Sequence, residues 1–92
     1  MKPIPRYVCH KTVEAYKIKG FEYRNEGVVL VPEDPDIEPV IVMRAYVQIH
    51  RPYPGGYYVR YADGYESFSP AVMFEDGYKL IEPAVEQADG ES

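Results

Sequence analysis

Between residues 55 and 70 the chain reads GGYYVRYADGYESFSP, and few folds accommodate that order. Aromatic and β-branched residues fill Tyr57 to Tyr61 and recur from Tyr65 to Phe68, with Asp63-Gly64 between them, which specifies a β-hairpin. Two turns are compatible with it. A two-residue Asp63-Gly64 turn sets Ala62 opposite Tyr65 and Val59 opposite Phe68. A three-residue Ala62-Asp63-Gly64 turn, with Gly64 left-handed, sets Tyr61 opposite Tyr65 and Arg60 opposite Glu66. The second is preferred, because it places opposite charges and two tyrosine rings across from each other. In that register Tyr57, Val59 and Tyr61 point to the core. Tyr58, Arg60, Glu66 and Phe68 share the opposite face, which the Arg60–Glu66 pair marks as solvated.

The rest of the chain is punctuated just as clearly. Pro3 and Pro5 keep the first six residues extended. TVEAYKIKGFEYR alternates from Glu14 to Lys19 and predicts a strand with a bend near Gly20; RNEG is then a turn and VVLV a short buried strand. PEDPDIEP, with three prolines and four carboxylates, is a solvated connector. Val40 to Met43 reads as a strand, and RAYVQIHRP fits a helical turn near 44–50 as well as a strand end. SPAVMFEDGY predicts a short helix over about 70–76, N-capped by Ser69, ended by a left-handed Gly77, with Ala71, Phe74 and Tyr78 inward. YKLI is a last strand. The expected fold is α+β and mostly β: a small single antiparallel sheet of about four to six short strands, curved or barrel-like. Residues 1–81 form one domain and 82–92 a mobile acidic tail.

Ninety-two residues with 46% hydrophobic and 27% charged side chains suit one modest core. Burial of ten to a dozen large apolar side chains at ~1.5–3 kcal/mol each is enough for that core and not for a deep multi-substrate cleft. A net charge of −5 opposes phosphate binding, so no direct nucleic-acid binding is expected. Cys9 is the single cysteine, which suits a reducing compartment, and no signal peptide or membrane-length apolar run stands out in the sequence. The expected location is the cytoplasm, with no membrane association.

Candidate chemistry is sparse. Cys9-His10 would point to opposite faces of a strand, which disfavours a catalytic dyad. Cys9, His10 and His50 lack the fourth ligand and the paired spacing of a zinc site. Glu33, Asp34, Asp36 and Glu38 offer hard oxygens for calcium, without the glycine or terminal glutamate of a calcium loop. PGG is followed by a strand and by no lysine of a phosphate loop. The expectation is no catalytic residue, no metal and no cofactor. Ten tyrosines are the remaining resource, either as thin-sheet core or as a binding surface of Tyr58, Arg60, Glu66 and Phe68.

HKTVEAYKI, followed by PGGYYVRYADGYESFSPAVMFEDGY, resembles a group of small uncharacterised proteins encoded in phage and prophage genomes. Val13 and Ala15, Pro54 to Val59, Asp63-Gly64, and Pro70, Phe74 and Tyr78 carry the resemblance over roughly residues 8 to 81; it departs at Gly56, where the group often has aspartate. The resemblance implies a phage origin, hence a host-cytoplasmic location, and a small β-rich fold, but no chemistry. The function expected is a phage or prophage accessory protein acting as a non-catalytic protein-binding module on a host or phage protein, with homodimerisation as an option. The alternative is an acidic nucleic-acid mimic that inhibits a host nucleic-acid-binding defence enzyme. A small-molecule binder or small enzyme comes third.

Overall fold

A computed structural model of the chain describes residues 1–8 and 11–81; Cys9, His10 and the expected tail at 82–92 lie outside the described residues. Among the described residues the elements run β1 (Arg6–Val8), β2 (Thr12–Arg24), β3 (Gly27–Pro32), β4 (Val40–Val42), α1 (Arg44–His50), β5 (Tyr57–Tyr61), β6 (Glu66–Ser69), α2 (Ala71–Gly77) and β7 (Lys79–Ile81). Over the described residues the fold is mostly β: one antiparallel sheet of seven strands, which does not close, with two short helices. The strand beyond the six segments expected is β1, where the extended lead-in continues through Arg6–Val8 and pairs with β2 on one side and β7 on the other.

The thirteen-residue β2 is the spine. Its first half pairs with β1 and β5, its second half with β3, and the register slips between Ile18 and Gly20. That slip is the bend expected near Gly20. A bulge there re-aims the strand and increases its twist. Alternate backbone groups of β2 face alternate edges: Ala15 N donates to the Pro5 carbonyl and Lys17 O accepts from Glu33 N, whereas Ile18 exchanges hydrogen bonds with Gly55 and Gly56. One strand thereby holds β1 and β3 along one edge and β5 along the other.

The hairpin takes the three-residue turn. Tyr61 N donates to the Tyr65 carbonyl at 2.9 Å, Arg60 stands opposite Glu66, and Gly64 has φ 93°. A side chain at that φ would be strained, so the glycine is what permits the turn. Asp63 Oδ1 accepts from Tyr65 N at 3.0 Å and rigidifies it.

Both faces of the sheet are covered. On one, Tyr16, Ile18, Val28, Leu30, Val42 and Tyr58 form a core with Tyr46 of α1 and Ile37 of the connector. On the other, Val13, Ala15, Tyr57 and Val59 pack against Phe74 of α2, with Ala71 and Tyr78 half-buried beside it. The inward set expected for this helix is therefore the observed one. Its caps differ. Ser69 belongs to β6, Pro70 takes the N-cap position without a side-chain hydrogen bond, and Gly77 is the last helical residue rather than a left-handed stop. Strand pairing of Ser69 with Tyr57 removes it from the capping position. The connector also departs from a wholly solvated loop, because Ile37 is buried in the first core. In the 44–50 region the helix prevails over the strand end: Arg51, with φ 49°, stops it, and Arg51 N donates to the Val47 carbonyl.

Candidate functional site

The alternation along β5 and β6 brings Tyr58, Arg60, Glu66 and Phe68 to one face, as expected, but that face is not a free surface. Tyr58 is 0% exposed. Its ring lies 5.4 Å from that of Tyr16 and 6.2 Å from that of Tyr46. The expectation of a solvent-facing Tyr58 is thus overturned by α1, which crosses the sheet: Arg44 Nη2 donates to the Arg24 carbonyl, and Tyr46 OH donates to Ser67 O at 2.6 Å. Nothing in the hairpin's own alternation records a helix packed above it.

The polar groups of the four residues are paired differently from the simple cross-strand reading. Arg60 is opposite Glu66 in register, but its guanidinium donates twice to Glu14 Oε1 on β2, at 2.9 and 2.7 Å. Glu66 instead accepts from the Tyr58 hydroxyl at 2.6 Å. A buried phenol needs an acceptor, and the carboxylate one strand over supplies it. Glu14 completes the cluster, and sequence reasoning about the hairpin alone missed it. Its signal was the β2 alternation, which puts Glu14, Tyr16 and Ile18 on one face. Phe68 is half-buried, with its ring 4.9 Å from that of Tyr53 and directly over Gly56. A Cβ at Gly56 would overlap the Phe68 ring and come within 3.1 Å of the Ser69 carbonyl oxygen, so the position of this ring requires glycine there.

Electrostatics follow burial. Burial pushes the Tyr16 phenol up to about 12, partly offset by the hydrogen bond from Val40 N. Tyr46, Tyr57 and Tyr58 are also raised, first by burial; the hydrogen bonds to Glu75 and Glu66 add to the effect at Tyr57 and Tyr58. A phenol whose folded pKa lies above its unfolded value stabilises the fold fully below about pH 10, and that contribution is lost as pH rises through the folded values. Alkaline unfolding followed by circular dichroism is expected to coincide with the appearance of phenolate absorbance from these four rings. Full, reversible ionisation of all ten tyrosines with the near-ultraviolet signal intact would show the rings to be accessible.

The Glu14–Arg60 pair forms a ridge between two shallow grooves. One is lined by Lys2, Pro3, Ile4, Glu38, Pro39 and Val40, the other by Arg6, Thr12, Tyr61 and Gly64 at the hairpin end. Across Lys2 lies a third, with Pro5, Tyr7, Lys17, Asp34, Tyr57 and Leu80 in its walls. In the connector, Asp34 is held by Lys2 Nζ at 2.5 Å, and its other oxygen accepts from Asp36 N at 2.9 Å. Lys2 and the Asp36 amide together lower the Asp34 pKa. No group of three or more potential metal ligands converges among the described residues. Cys9 and His10, which the dyad and zinc ideas need, are outside them; the His50 ring lies tilted against that of Tyr46 at 4.7 Å and meets Tyr65 edge-on at 6.1 Å.

These features define a small, mostly β protein whose open sheet is packed on both sides. No family model, curated protein or solved structure matches the chain.

Proposed function

We propose that the chain is a non-catalytic protein-binding module, encoded by a phage or prophage and acting on a host or phage protein in the host cytoplasm. The observation that carries the binding role is on α2. Phe74 pins this helix to the sheet, while Val72 and Met73 turn outward, 72% and 68% exposed. These two adjacent large apolar side chains belong to neither core cluster and stand open to contact with another protein. The phage origin rests on the resemblance carried by Pro54 to Val59 and by Pro70, Phe74 and Tyr78. Among the described residues no helix is long and apolar enough to cross a membrane.

The mimic reading is weaker on the distribution of charge. Four of the fifteen acidic residues, Glu82, Glu86, Asp89 and Glu91, lie in the last eleven positions, and all ten basic residues precede them. Residues 1–81 therefore carry a formal charge of −1, too little to imitate a phosphate backbone.

The test is a Val72→Ser/Met73→Ser double variant, used as tagged bait in host lysate beside the natural chain and run in sedimentation velocity. Its thermal midpoint should barely move, since surface substitutions of this kind stay within about ±0.5 kcal/mol each. Loss of the captured protein, or of self-association, supports the reading. Capture of the same proteins by both chains refutes α2 as the binding surface.

A further inference from the structure

Residues 1–4 lie in a slot on the molecule. Residues 1–4 run in extended form beside the connector: Lys2 bridges Ile37 in parallel, Lys2 N donates to Asp36 O at 3.0 Å, and Ile4 is half-buried against the first core. Lys2 Nζ reaches Asp34 Oδ2 at 2.5 Å, with both side chains substantially exposed. The slot has apolar footing in Ile37 and Val40, and its walls are acidic. Asp36 and Glu38 carry no ion pair among the described residues. Little holds the strap down. Described contacts tying residues 1–4 to the connector amount to one backbone hydrogen bond, one screened surface ion pair and the half-burial of Ile4.

We propose that this slot is a docking groove for an extended peptide of basic, proline-containing character, occupied in cis by residues 1–4, Met-Lys-Pro-Ile. The proposal rests on the reading of the chain as a binding module and names the chemistry of one ligand. Three observations fit together. The resident segment is preset to an extended shape by Pro3 and Pro5, so an incoming segment of the same kind loses little freedom on binding. Its lysine is matched to Asp34, and the spare carboxylates of Asp36 and Glu38 accommodate a second basic residue. A parallel bridge to the connector at Ile37 supplies main-chain hydrogen bonding, as in strand addition to an exposed edge. The strap is then a competitor at the effective concentration set by its short tether, in the mM range, which a partner with additional contacts displaces.

The probe is the synthetic, C-terminally amidated hexapeptide Met-Lys-Pro-Ile-Pro-Arg, titrated into isotopically labelled full-length protein and followed by amide chemical shifts. Three chains are compared: natural, Lys2→Glu, which repels the strap from Asp34, and Lys2→Ala, which removes the ion pair without adding charge should Lys2→Glu disturb the fold. Unseating the strap should lower the peptide concentration for half-saturation at least about threefold, since the resident segment reduces the competent fraction. The shifts should centre on Asp36, Ile37 and Val40, and Asp34→Asn or a peptide with Glu in place of Lys should weaken them. Absence of shifts at these amides at several times the mM tether concentration overturns the proposal. So does equal half-saturation in the natural and unseated chains. Peptide binding is read independently of lysate capture through α2: capture without peptide binding sinks the groove and leaves the α2 surface, and peptide binding without capture sinks the α2 surface and leaves the groove.

Discussion

Tyr58→Ser is expected to lower the stability of the isolated monomer by about 3–5 kcal/mol, the range for removing a large buried ring. The ring sits at 0% exposure between Tyr16 and Tyr46, and its hydroxyl is the donor that satisfies Glu66 at 2.6 Å. Truncation leaves a cavity on the α1 side of the sheet and takes from Glu66 the donor that reached it. Val59→Ser, on the other face, is expected to cost about 2–4 kcal/mol through lost apolar volume and a stranded hydroxyl. For a domain whose whole stability is about 5–15 kcal/mol, either change should displace the urea midpoint far down. A Tyr58 variant that denatures at the natural midpoint would mean that α1 and the connector leave that face open.

Phe74→Ala has a comparable expected effect, about 3–5 kcal/mol. The Phe74 ring stacks on Tyr57 at 4.3 Å and on Tyr78 at 4.5 Å, and Tyr7 meets it edge-on at 4.7 Å. Aromatic pairs of this geometry contribute about 0.5–1.5 kcal/mol beyond buried area, so removing the central ring weakens three contacts at once. Phe74 is the only fully buried residue of α2, and the chain passes from α2 through Tyr78 directly into β7. Loss of the anchor should therefore free α2 and β7 before the rest. Amide exchange at Lys79–Ile81 should accelerate more than at Val28–Leu30 of β3, and the near-ultraviolet dichroism of the stacked rings should fall. Uniform acceleration across the sheet would instead show that α2 and β7 unfold only with the whole.

Much of the fold was legible in local order. The hairpin register followed from Asp63-Gly64 and from the preference of Arg60 and Tyr61 for Glu66 and Tyr65 as neighbours. Backbone geometry at Gly64 and cross-strand pairing are short-range effects, and both operate within a dozen residues. The bend in β2 at Gly20 and the inward set Ala71, Phe74 and Tyr78 were equally local. The caps of α2 were not. Ser69 was drawn into the ladder opposite Tyr57, which leaves Pro70 at the N-cap position.

The candidate site divides in the same way. Period-two alternation placed Tyr58, Arg60, Glu66 and Phe68 on one face of the sheet, because successive strand residues must point to opposite sides. Whether that face meets water is not a property of the strand. It depends on α1, whose Tyr46 ring covers Tyr58, and on Ile37, brought over the same core by a connector that reads as polar. Arg60 likewise had two carboxylates in reach, and the pairing of β2 with β5, forty-six positions apart at Glu14 and Arg60, selected the one on β2. Within the hairpin, the sequence by itself determined the two strands, the turn, the register and the side on which each ring lies, all of which are decided by sterics between near neighbours. Only the tertiary structure decided that both sides are inside, because burial is set by which distant elements come to lie on the sheet, and that is a contest of packing over the whole chain.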